Sequence, residues 1–129
     1  MERALIITFG GALGTLVRYL TSLAAAEWLG TDFPYGTLIV NLTGSFVIGL
    51  VQQLGVEALV LPDDVRLFLT TGMMGGLTTY STFSYETARL MEVGDWQRAW
   101  INIIVTTALC IGLCFLGMAA GRMLVGVRT

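Results

Sequence analysis

The sequence predicts an all-α membrane protein: four transmembrane helices in a single domain over residues 1–129, with the third helix broken. Three observations lead there. The chain is 55% hydrophobic and only 12% charged, with a mean hydropathy of +0.77, which is far more apolar than a soluble domain of this length needs. Apart from Arg18, its charges gather into short islands at 2–3, 27–32, 57–66, 86–98 and 122–128. Between them lie four apolar stretches of about 20–25 residues, each long enough to cross a hydrocarbon core about 30 Å thick. Finally, residues 75–86, GGLTTYSTFSYE, place two glycines and seven hydroxyl side chains where the third crossing should run.

The predicted spans are 4–26, 37–59, 65–90 and 98–121. Only a helix satisfies its own backbone in lipid, so each is read as helical. In the first, FGGALGTLVRYL, Gly10 and Gly14 form a small-xxx-small face suited to close helix contact. A nucleotide-binding glycine loop is the poorer reading, because no strand precedes these glycines. Arg18 is costly at membrane depth unless it snorkels to the interface, meets water or finds a partner, and so is a functional candidate. The span has neither a strong basic flank nor a small-residue cleavage site, so it is expected to remain in the mature protein.

Thr31-Asp32-Phe33-Pro34 ends this crossing, and the second follows with GTLIVNLTGSFVIGL. An amide deep in lipid must pair with protein or line a watery passage, so Asn41 is either interhelical glue or part of a pathway. Its match to a glycosylation sequon is discarded, since the enzyme that uses one does not reach membrane depth. Thr37, Asn41 and Ser45 recur every four residues and share a face. Pro62-Asp63-Asp64 then offers a turn and a cap for the third crossing.

Gly72, Gly75 and Gly76 weaken that crossing, and the hydroxyls after them can satisfy freed backbone groups, so a break is expected near 75–79. Non-helical backbone at membrane depth survives only where it is buried or lines water. The exposed carbonyls suit a bare cation, whereas the hydroxyls and the helix start beyond suit an anion. Tyr80 and Phe83, three apart, share a helix face, and their ring edges carry the positive end of the aromatic quadrupole. Glu86 follows one turn later, near the end of the span.

Gly94-Asp95 stops the third crossing and caps the fourth. Asn102, Thr106 and Cys110 form a second polar stripe at four-residue spacing. Cys110 and Cys114 share that helix, so they cannot clasp two elements, and without histidine they make no zinc set. Trp28, Tyr35 and Trp96 fall at span ends, where amphipathic rings favour the interface of the lipid bilayer.

Charge placement bears on assembly and partners. Arg3, Arg66, Arg122 and Arg128 lie on one side of the predicted topology and Arg89 and Arg98 on the other, a weak bias that permits insertion both ways up. Opposed copies could then pair about an axis in the membrane plane, as an antiparallel, dual-topology dimer. A net charge of −2 with no lysine or histidine argues against a nucleic-acid surface. No constellation supports acid–base or metal catalysis, so no enzyme activity is expected.

GALGTLVRYL, GTLIVNLTGS and GGLTTYSTFSYE, in this order along the chain, resemble the CrcB/Fluc fluoride channel family. The resemblance implies a cell-membrane channel for passive efflux of cytoplasmic fluoride, built as an antiparallel dimer with two pores and a structural sodium ion at its centre. It implies that Asn41 lines the fluoride pathway as a donor, with Phe83 and, in the other phenylalanine position, Tyr80. Tyr80 departs from the family, and for this reason the partner is either a second copy of the chain or a paralogous subunit. By the same resemblance, Thr82, Asn102 and Thr106 belong to a polar track, Gly75 and Thr78 offer carbonyls to sodium, and Arg18 and Glu86 stand near the vestibules. Two other classes fit the chain less well. A proton-coupled small-molecule exporter would hold a carboxylate well inside the first two spans, where there is none. A structural accessory subunit has no need of a broken helix.

Overall fold

The computed structural model describes residues 1–126 and is helical, with no strand among the described residues. Arg128, one of the arginines in the orientation argument, lies outside them. Helix α1 runs Glu2–Leu29 and stops at Gly30, whose φ of 87° is one that glycine adopts without strain. Helix α2, Tyr35–Gln52, continues without interruption as a π-helical turn, Gln53–Glu57. After a short loop come α3, Asp63–Leu67, a second π-helical turn, Phe68–Met74, and α4, Gly75–Leu77. Two extended residues separate this rod from α5, Tyr80–Glu92, and Gly94, at φ 84°, turns the chain into α6, Trp96–Gly126.

Most boundaries follow the sequence-based reading, with two corrections. Pro62-Asp63-Asp64 does turn the chain, but neither aspartate caps α3. Both instead sit in its first turn, where carboxylates favour the positive end of the helix dipole. The π-helical turns were not foreseen, because in segments this apolar a one-residue shift of the helix face leaves little mark on the hydrophobic pattern. Asp95 caps α6 as expected: its Oδ1 accepts from the Arg98 amide at 3.2 Å, and the Arg98 side chain holds its carboxyl below the usual carboxylate range.

Glycines set the packing. A Cβ on Gly10 would lie 2.7 Å from the Phe68 carbonyl oxygen, and one on Gly14 would lie 2.9 Å from the Leu77 amide and collide with the Met73 carbonyl. α1 thus lies backbone to backbone on the rod 63–77, the contact that small residues permit between helices in lipid. A second such seam joins α2 to α6, where a Cβ on Gly117 would lie 2.9 Å from the Leu50 amide and Gly49 faces the Cys114 backbone. Val40, Met74 and Leu77 fill the junction between α2 and the rod. Leu5, Phe9, Leu16, Leu20, Ile104, Ile111 and Phe115 point outward, an exposed apolar surface suited to lipid tails.

Glu2–Leu29, Tyr35–Glu57 and Trp96–Gly126 are each long and apolar enough to cross a membrane, so the protein is a multi-pass membrane protein. The two rods that precede α6 are each shorter, because the chain leaves helical geometry between them.

Candidate functional site

The break falls at Thr78 (φ −82°, ψ 153°) and Thr79 (φ −153°, ψ 114°), at the far edge of the expected window, while Gly75 and Gly76 stay helical. Its hydrogen bonds explain how it persists. The Thr78 amide still reaches back to the Met74 carbonyl at 3.0 Å, but the Thr79 amide turns to Asn41 Oδ1 at 2.9 Å. Asn41 Nδ2 donates to the Thr79 carbonyl at 3.2 Å, so one amide side chain pairs with both polar groups of one peptide residue. The Thr79 hydroxyl caps α5 by accepting the Thr82 amide at 3.1 Å.

Carbonyls before the break lose their helical donors as a result. In a continuous helix Gly75 O would take the Thr79 amide and Thr78 O the Thr82 amide, and both amides are engaged elsewhere. The Gly76 carbonyl, which would have taken the Tyr80 amide, instead accepts from Arg18 Nε at 3.0 Å. Arg18 therefore lies against the end of the first rod, a cation at a helix C-terminus, which the dipole favours. The partners of Thr79 and Gly76 were not foreseen from sequence, although both lie in the expected window of the break, since nothing in the string of hydroxyls distinguishes the one that Asn41 meets.

A cavity of about 430 Å³ opens beside the break. Asn41 and Ser45 of α2, Gly75, Thr78, Tyr80 and Phe83 all line it, with Thr106 and Cys110 from α6. Tyr80 and Phe83 form a tilted pair with ring centroids 5.6 Å apart. Among the described residues lining the cavity there is no charged side chain. Its polar groups are an amide and hydroxyls, most of the latter already donating: Ser45 to the Asn41 carbonyl at 2.7 Å and Thr78 to the Met74 carbonyl at 2.8 Å.

The other expected site residues fall elsewhere. Thr82 and Glu86 line a second cleft of about 290 Å³ together with Thr37, whose hydroxyl donates to the Glu86 carboxylate. The α2 stripe is thereby divided between two openings, Thr37 at one and Asn41 and Ser45 at the other. Asn102 does not line the cavity; it is 2% exposed, and its Nδ2 donates to the Thr87 hydroxyl at 2.9 Å. Cys110 and Cys114 are free thiols, as their shared helix requires.

The arrangement offers a small uncharged cavity walled by an amide, hydroxyls and two aromatic rings, suited to holding and releasing an ion rather than transforming a substrate. Comparison with known proteins agrees. The family model described as CrcB-like protein, Camphor Resistance (CrcB), matches residues 5–118. The "Fluoride-specific ion channel FluC" of Geobacter sp. (strain M21) is 44% identical over 124 residues, 96% of this chain and 100% of that protein. The protein of the same name from Magnetococcus marinus is 42% identical over 118 residues, covering 92% of this chain and 96% of its own length. That from Sorangium cellulosum is 44% identical over 125 residues, or 97% and 98% of the two chains. With a match across nearly its whole length and relatives of this similarity, the chain belongs to the CrcB family.

Proposed function

We propose that this protein is a fluoride channel that lets fluoride leave the cell passively. The observation that carries the proposal is the double hydrogen bond between Asn41 and Thr79, which holds a helix open beside a cavity without charged walls. A small, strongly hydrated anion needs close donors to replace its water, yet must be held weakly enough to leave. Asn41 supplies an amide, and the ring edges of Tyr80 and Phe83 add positive potential without a full charge that would trap the ion. The names of the relatives point to the same ion.

The working unit is an antiparallel dimer in which the third crossing of each copy is made of the rods 63–77 and 80–92. Its support is the weak arginine bias in the sequence, the 80% exposure of Tyr80 beside the cavity, and the carbonyls of Gly75 and Thr78, which have lost their helical donors. Left bare in lipid, each would cost several kcal/mol, on the order of a lost buried hydrogen bond or more. Among the described residues no cluster of acidic, cysteine or histidine side chains offers a metal site, so a cation would rest on backbone oxygens, which as hard, neutral ligands fit sodium. Two carbonyls are too few to replace its water, and a second copy would double them. When bound, sodium would supply a fixed positive charge that holds the two breaks together.

Efflux from liposomes containing the purified protein tests this reading. Fluoride should leave rapidly and chloride should not, with no proton gradient required; coupling to protons, or silence from folded protein even with a paralogous subunit supplied, would overturn it.

A further inference from the structure

The buried polar groups between α5 and α6 form one connected chain. The Thr87 hydroxyl donates to the Phe83 carbonyl at 2.7 Å, Asn102 Nδ2 donates to that hydroxyl at 2.9 Å, and the Thr106 hydroxyl donates to Asn102 Oδ1 at 3.2 Å. Asn102, Thr87 and Thr106 are all buried, at 2%, 6% and 7% exposure. The direction of each bond is constrained. Thr87 has one hydroxyl proton, engaged by Phe83, so it must accept from its other neighbour, and this turns the Asn102 NH₂ towards α5 and its oxygen towards Thr106. The single proton of Thr106 is engaged in turn. Thr106 therefore has no hydroxyl proton to spare for the cavity it lines, and Asn102 does not reach that cavity.

The geometry points to Asn102 as a positioning residue that acts on the ion's path through Thr87 and Phe83, without contacting the ion. The break at Thr78–Thr79 uncouples α5 from the rod before it, so the placement of Phe83 depends on what grips α5 from outside. Asn41 grips its start, and Thr37 meets Glu86 on one side. The Asn102–Thr87 bond is the grip from α6, and it ends on the peptide oxygen of the residue whose ring lines the cavity. A buried network satisfied at every member fixes one arrangement, and an apolar contact at the same place would leave α5 free to slide or rotate.

This inference rests on the channel reading, and the test separates the two. Thr87→Val keeps the shape of the side chain and removes the hydroxyl, at a position outside the cavity. It should lower the fluoride-over-chloride flux ratio about tenfold, the scale expected for losing a buried hydrogen bond. Asn102→Leu should do the same, the double variant should be no worse than either, and Thr87→Ser should behave as wild type. Selectivity is the decisive readout, because a loss of folded protein alone lowers both fluxes together. Amide hydrogen exchange over residues 83–87, measured without reference to conduction, should quicken in both single variants. Wild-type selectivity in Thr87→Val beside a silent Asn102→Leu would mean that Asn102 touches the ion and would overturn the inference; so would unchanged exchange. A wild-type protein that passes no fluoride would remove the channel reading, leaving the exchange measurement to decide the brace.

Discussion

Asn41 binds Thr79 from both sides of one residue, donating from Nδ2 to its carbonyl at 3.2 Å and accepting its amide on Oδ1 at 2.9 Å. A side-chain amide is the group that offers donor and acceptor at this spacing, so it takes the amide that has lost its helical acceptor and adds a donor to the carbonyl that begins α5.

Replacing Asn41 should therefore stop conduction. Asn41→Asp keeps the acceptor but sets a negative oxygen against the Thr79 carbonyl and into an anion's path. Asn41→Leu leaves the Thr79 amide unpaired, at about 1–3 kcal/mol, and removes the second donor from its carbonyl. Fluoride efflux should fall about tenfold or more in either variant, while size-exclusion elution remains that of the assembled protein. Wild-type efflux in both would remove Asn41 from the site.

Arg18 holds the other side of the break through Nε and the Gly76 carbonyl, 3.0 Å apart. Arg18→Leu should lower thermal stability in detergent by about 1–3 kcal/mol, since it leaves a carbonyl without its donor. Arg18→Lys should recover only part of this, because a compact ammonium lacks the planar fork. Equal melting of all three proteins would show that the contact carries no stability.

The glycine seams give a contrast within one residue type. Gly14→Ala and Gly117→Ala drive a methyl group into facing backbone and should each cost about 1–3 kcal/mol. Gly112 has no neighbouring atom within 4 Å of a built Cβ, so Gly112→Ala should be neutral or stabilise α6 by up to about 1 kcal/mol. Thermal unfolding of the three variants, ranked in any other order, would contradict the packing.

The aromatic pair separates ring from hydroxyl. Phe83→Ile removes the quadrupole beside the cavity and should suppress fluoride efflux with assembly retained. The Tyr80 hydroxyl has no hydrogen-bond partner among the described residues, so Tyr80→Phe should preserve the ring contact and the melting temperature. A marked loss of stability in Tyr80→Phe would reveal a partner for that hydroxyl in the assembled protein.

Exchanging sodium for a bulky organic cation during purification should lower melting temperature and fluoride efflux together, if the Gly75 and Thr78 carbonyls hold the ion. Unchanged behaviour in sodium-free buffer would dismiss the cation and leave the break to the protein alone.

Composition and spacing determined the helical class, the positions of the crossings and the existence of the break. Those are local or additive properties: hydrophobic length, glycine content and the density of hydroxyls act through the segment that contains them. The small-xxx-small face of Gly10 and Gly14 was legible for the same reason, although the residues it meets, Phe68 to Leu77, were not. Only tertiary structure decided which groups close the break and which stand apart. Asn41 and Thr79 are 38 residues apart, Arg18 and Gly76 are 58, and no period along the chain records such a pairing. The α6 stripe shows the limit most clearly. Equal spacing put Asn102, Thr106 and Cys110 on one helix face, but α5 covers the first of them and the cavity begins at the second. A helix face is fixed by its own geometry, whereas its exposure depends on where a neighbouring helix comes to rest.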